Sequence, residues 1–216
     1  MNNKLLELSM NNFADEDGDI LHIPHGDMPG DKINIEKSHI EKAKVIFPEL
    51  IKKVKECATT NSKVVITVCG GSGVGKSEIA SLLAHYFENM GVGCYTLSGD
   101  NYPHRIPVYN DAERLRIFRE SAIRGMITDS EYSFERFNII HQYQLENKDA
   151  ESKNIAKYPW YESYIRNGAM GLQGYLGTEK EINFSEIQNI VKEFKSGAEK
   201  IWLKRMGRED TELWYE

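Results

Sequence analysis

The run GGSGVGKS at residues 70–77 constrains this chain more than any other feature. It satisfies GxxxxGK[ST] in full and has the context that the pattern needs on both sides. Before it, VVITVC at 64–69 is a short β-branched run without polar alternation, as expected of a central parallel strand covered on both faces. After it, Ile79, Leu82, Leu83, Tyr86, Phe87 and Met90 recur at helical spacing and stop at Gly91. Each residue type in the run has a physical task. Gly70, Gly73 and Gly75 let the backbone bend tightly, so that successive N–H groups and a helix N-terminus face an anion. The loop Gly70, Gly71, Ser72, Gly73, Val74, Gly75, Lys76 and Ser77 is therefore expected to cradle the phosphates of ATP. Lys76 would reach the β and γ phosphates as a point charge, and the Ser77 hydroxyl would ligate Mg²⁺. Two rival glycine patterns fail. A dinucleotide fingerprint read from Gly71 meets Lys76 where its third glycine belongs, and a nucleophile elbow around Ser72 meets Val74 where glycine is required.

A second apolar run, 94–97, follows the helix and makes a strand, turn, helix, strand unit with a right-handed crossover. The expected fold is α/β, a P-loop NTPase-type doubly wound parallel sheet with an N-terminal helical extension and a helical insertion. Ligands of such sheets bind beyond the carboxyl ends of the strands. Asp100, in LSGDNYPHRIP directly after the second run, is thus expected near the loop mouth, where a carboxylate can accept or orient the proton of an acceptor hydroxyl. Its bland alternative is to cap the turn.

Residues 1–62 form the extension, 63–110 the nucleotide-binding core, 111–197 a helical substrate or lid region, and 198–216 a hairpin written KIWLKR, MGRED, TELWYE. Ser38 and Glu41 have capping-box spacing ahead of Ile40, Ala43, Phe47, Leu50, Ile51 and Val54, and Pro48 predicts a kink or a restart. Asp111 is expected to cap a helix with Leu115, Phe118 and Ala122, and Ser133 one with Phe134 and Phe137. A further helix with Ile187, Ile190, Val191 and Phe194 runs up to Gly197. Gly168, Gly171, Gly174 and Gly177, three apart in NGAMGLQGYLG, read as a flexible loop. DEDGD at 15–19 fails as a calcium loop, because Ile20 and Gly26 stand where Gly and Glu are required. His22, His25 and Asp27 are a weak metal cluster set against simple solvation. Tyr158, Trp160, Tyr161 and Tyr164 could stack on a base, although a core or lid cluster is the commoner outcome.

Composition narrows the classes. A net charge of -6 argues against coating a polyanion, so no nucleic-acid partner is expected. No signal-like N-terminus or bilayer-length apolar run occurs, so no membrane partner is expected and the cytoplasm is the expected location. Cys57, Cys69 and Cys94 lack metal-ligand spacing and read as buried thiols in a reducing compartment.

GGSGVGKS followed by SGDNYPH and NDAERLRIFR resembles adenylylsulfate kinases, and the first two landmarks are similar to those of uridine kinases and phosphoribulokinases. The resemblance covers about residues 64–119. It implies ATP and Mg²⁺ as cofactors, Asp100 as base, Asn101 and His104 as substrate contacts, and Arg105, Arg114 or Arg119 as holders of an anionic substrate. In adenylylsulfate kinases the next core strand follows the arginine-rich helix closely, whereas here a long helical and glycine-rich stretch intervenes. The reading is a kinase moving the γ-phosphoryl group to a hydroxyl of a small, anionic or nucleotide-like metabolite, with Lys76 and Asp100 at the reaction. A rival of another class is a nucleotide-binding module that switches a protein partner, for which no NKxD-type guanine motif is found. A relict loop is the third. No apolar run ending in Asp or Glu follows the loop, so the sheet and its Mg²⁺-binding acidic strand are expected to be incomplete in this chain, with the rest beyond Glu216.

Overall fold

The computed structural model describes residues 4–10, 23, 33–71, 73–206 and the backbone of 212–215. The readings of DEDGD and of His22, His25 and Asp27 lie outside the described residues. The chain divides into two compact units, Met1–Tyr102 with Phe184–Glu216, and Pro103–Asn183.

In the first unit, α1 (Lys37–Ala58) packs on α2 (Lys76–Asn89). The capping box of α1 belongs to Glu36 and His39 rather than to Ser38 and Glu41: the Glu36 carboxylate accepts from the His39 N–H, and His39 Nδ1 accepts from the Glu36 N–H at 3.1 Å. The helix runs unbroken through Pro48, contrary to the expected kink or restart. Ala43, Phe47, Ile51, Val54 and Ala58 are buried on both sides of the proline, and that burial offsets the backbone hydrogen bond it omits. Phe47 meets Tyr86 and Phe87 of α2 edge-on, with ring centroids 5.1 and 5.0 Å away. Burial of a ring such as Phe47 stabilises by roughly 1.5–3 kcal/mol. The α2 stripe ends as expected at Gly91, whose φ of 78° lets Val92 N–H reach back to the Phe87 carbonyl at 3.0 Å.

The expected parallel sheet is not seen. Among the described residues the only ladder joins β1 (Leu203–Met206) and β2 (Glu212–Tyr215), antiparallel, with Leu203 opposite Tyr215 and Met206 opposite Glu212, as the hairpin reading required. Val64, Val68 and Cys94 pack partly against the core, whereas Val65 and Ile66 are 41% and 39% exposed. A central strand is buried because neighbours cover both of its faces and both of its edges, and among the described residues no strand lies beside 64–69. The cysteines depart from expectation as well: Cys57 and Cys69 are exposed and Cys94 is half-buried. Burial, reinforced by the nearby Glu88 charge, pushes the Cys94 thiol up to about 11. The helix expected before Gly197 is α7, Phe184–Ser196.

The second unit is helical: α3 (Pro107–Thr128), α4 (Phe134–Leu145), α5 (Asn154–Lys157) and α6 (Tyr161–Gln173). Ser133 caps α4 as expected, its Oγ accepting from Arg136 N–H at 3.2 Å. Asp111 does not cap α3, which starts a turn earlier with Pro107 in its first turn. Of the triplet glycines, Gly174 and Gly177 lie in the turn that follows α6, but the first two do not. Gly168 and Gly171 lie inside α6, where a Cβ on Gly168 would fall 2.6 Å from Phe118 and one on Gly171 would collide with Ser121. Gly125 of α3 is likewise closed by Asn167. Glycine at these positions lets α3 and α6 approach closely, a packing demand that local propensity does not reveal. Tyr161 and Tyr164 are fully buried in a core with Phe118, Ala122, Met126 and Ile140, whereas Tyr158 and Trp160 pack against it partly buried.

Candidate functional site

Sequence and geometry agree on why the loop bends where it does. Gly73 and Gly75 have φ of 73° and 88°, a region that costs other residues about 1–2 kcal/mol. Gly75 is the N-cap of α2, and its carbonyl accepts from Ile79 N–H at 3.0 Å. Lys76 and Ser77 are the first two residues of a 14-residue helix, so their N–H groups belong to the unsatisfied first turn, where the helix dipole favours an anion. Lys76 Nζ donates to the Gly71 carbonyl at 2.6 Å, which holds the ammonium over its own loop. Gly70 is tight, since a Cβ there would lie 3.2 Å from Val74 Cγ2, and the Val74 side chain is exposed. Ser72 lies outside the described residues.

Asp100 sits exposed in a short 3₁₀ turn, Gly99–Asn101, whose cap is Ser98: its Oγ accepts from Asp100 N–H at 3.3 Å. Asn101, expected to touch substrate, is fully buried, and its Oδ1 accepts from Met206 N–H of β1 at 2.8 Å. It ties the aspartate's turn to the hairpin. Lys204 reinforces that junction from the same strand, with Nζ 5.7 Å from the centroid of the Tyr102 ring and 3.6 Å from Glu186.

The remaining expected substrate residues lie in the second unit. His104 Nε2 bonds the Glu179 carbonyl at 3.0 Å, so that nitrogen carries the proton. Arg105 donates to Tyr175 Oη at 3.2 Å and lies 3.7 Å from Glu113. Arg114 donates to Glu181 at 2.7 Å and to Asp111 at 3.2 Å. Glu181 is buried, which works to raise its pKa, but the Gly177 N–H and Arg114 together hold it below the ordinary value. Arg119 grips the buried Asp149 with both arms of its fork, at 2.9 and 2.7 Å, and Asp149 also accepts from Tyr164 Oη at 2.8 Å. Burial again works to raise the Asp149 pKa, and Arg119 and Tyr164 outweigh it. Arg119 therefore has a structural role here, and Arg105 and Arg114 are also engaged by protein groups.

The family model described as Zeta toxin matches residues 48–158, about half of the chain. The chain belongs to the Zeta toxin family. Membership gives it the P-loop NTPase α/β fold class and the character of a P-loop kinase-like domain. Of the motif resemblance, the P-loop kinase part stands. The chain is also 36% identical over 166 residues, 76% of its length, to a bifunctional alpha-galactosidase/sucrose kinase of Mediterraneibacter gnavus. It spans 13% of the length of that relative. No solved structure matches it.

The part of the loop described fits the phosphate groups that this Zeta toxin family member is expected to hold: two left-handed glycines, a helix N-terminus and a lysine converge there. Among the described residues no cluster of His, Cys, Asp and Glu could hold a metal by itself. Three residues escaped sequence reasoning. Asp149 and Glu181 carry no motif, and only their burial marks them. His39 lies against Gly75, and the available signal was its place four residues before Ala43 on the apolar stripe of α1.

Proposed function

We propose that the chain is an ATP-dependent kinase that phosphorylates a hydroxyl of a small metabolite, and that the acceptor is a sugar. The observation that carries the reading is the intact phosphate loop, with Lys76 opening α2 and the exposed Asp100 in the same unit. The relative's printed activities add to it, because of the two only the sucrose kinase needs a nucleotide loop. Arg105, Arg114 and Arg119 spend their donors on protein groups, which leaves little free positive charge to recruit an anionic acceptor and favours a neutral polyol. The runs at 64–69 and 94–97 are the strand positions of a doubly wound sheet in this reading, since the loop and α2 lie between them as a parallel crossover requires.

Bound Mg-ATP supplies the γ-phosphoryl group. The residues of this chain do the rest. Loop amides and Lys76 stabilise charge that grows on phosphate oxygens, Ser77 holds the metal, and Asp100 takes or orients the proton of the acceptor hydroxyl. The test is ADP release from Mg-ATP with sucrose and other neutral sugars, with adenylylsulfate, with uridine, and with no acceptor. ADP release that depends on a neutral sugar and is lost in Lys76→Ala is expected. Release that depends only on an anionic or nucleoside acceptor would remove the sugar assignment, and hydrolysis indifferent to any acceptor would favour the switching module.

A further inference from the structure

His39 belongs to no motif, yet one hydrogen bond orients its imidazole and Gly75 leaves the room it occupies. On one side Nδ1 accepts from the Glu36 N–H at 3.1 Å, which in a neutral ring leaves the proton on Nε2. On the other side Nε2 and Cδ2 lie 2.8 and 3.0 Å from the point where a Cβ on Gly75 would stand. Nε2 has no hydrogen-bond partner among the described residues. The Glu78 carboxylate is also near that point, 3.9 Å from it. The ring sits at the N-terminal end of the stripe whose next members, Ala43 and Phe47, are fully buried against α2, so the packing of α1 on α2 delivers a pre-oriented N–H donor to the last glycine of the loop.

We propose that His39 is a phosphate-contacting residue of the nucleotide site, donating from Nε2 to a phosphate oxygen held on the loop. It would act from a helix that precedes the motif in sequence and lies outside it. The proposal rests on reading 70–77 as the triphosphate site. A donor whose orientation is already set loses little freedom on binding, and a hydrogen bond to an ionised oxygen is among the stronger kinds. Gly75 is needed twice in this arrangement, for its positive φ and for the space that the ring occupies.

The two nitrogens can be separated by substitution. An asparagine at 39 can still offer an acceptor near the Nδ1 position but has no donor where Nε2 was, and a glutamine does the reverse. Mg-ATP affinity is measured by calorimetric titration, and thermal melting without nucleotide is recorded, for the parent protein, His39→Asn, His39→Gln and Lys76→Ala. His39→Asn is expected to weaken Mg-ATP binding about tenfold with parental melting. His39→Gln is expected to melt earlier with affinity kept within about threefold. Parental affinity in His39→Asn, with binding lost in Lys76→Ala, would overturn the phosphate contact while leaving the loop reading intact. Lower melting in His39→Asn at unchanged affinity would assign the ring to the cap or to Glu78 and overturn it equally. Parental affinity in Lys76→Ala, or a parent that binds no Mg-ATP, would remove the loop reading and the proposal with it.

Discussion

At the scale of single residues, Gly75 illustrates how much one position can be asked to do. It supplies the left-handed turn before α2, the carbonyl that accepts the first helical hydrogen bond, and the gap into which His39 fits. Gly75→Ala meets both obstacles, a φ of 88° and a ring 2.8 Å from the new methyl carbon. It should lower stability by about 1–2 kcal/mol from the backbone alone and weaken Mg-ATP binding beyond that. Denaturant unfolding and nucleotide titration on the same sample check both halves, and an alanine variant indistinguishable from the parent in both would show that the turn is not as strained as its φ implies. Asp100 shows the opposite economy, an exposed carboxylate held by a serine cap and free of any ion pair among the described residues.

At the scale of elements, α3 and α6 are held by close glycine contacts and by Asp149, between α4 and α5, which accepts from Arg119 of α3 and from Tyr164 of α6. Asp149 has its pKa lowered in the folded chain, so the stability it contributes is present above its unfolded value, near 4, and is lost as pH falls through that value towards the folded one. Melting followed by helical circular dichroism should therefore drop steeply below about pH 4. Arg119→Ala should cost about 3–5 kcal/mol at pH 7, because it leaves a buried carboxylate unpaired. Burial then raises that carboxyl's pKa, so the gap between variant and parent should narrow in acid. A gap that stayed constant from pH 7 to pH 3 would count against the Arg119–Asp149 clasp. The helices were themselves largely legible: the stripes of α1, α2 and α7 and the Ser133 cap all lie at the expected spacing. Pro48, Gly168 and Gly171 misled, since propensity treats proline as a break and glycine as a loop, whereas burial on both sides of the proline and close packing at the two glycines decide otherwise.

Within the first unit of the molecule, segments distant in sequence are joined at two points. The Asn101 amide holds Met206 of the hairpin, and α1 reaches the loop through His39. Asn101→Ala should leave a buried N–H without its acceptor and cost about 1–3 kcal/mol. Amide exchange at Met206 should quicken accordingly, and exchange at parental rates would show that the hairpin is held by other contacts. From residues alone came the phosphate loop, the helix that follows it, the terminal hairpin and the prominence of Asp100, because each depends on neighbours within a few positions or on a motif whose chemistry leaves little choice of residue. The tertiary structure alone decided that Arg119 and Asn101 serve the protein's own buried groups, that Tyr161 and Tyr164 are core, and that a histidine from an earlier helix stands beside Gly75. Those outcomes depend on which groups meet across a core, and pairing through space leaves no periodic trace along a single chain.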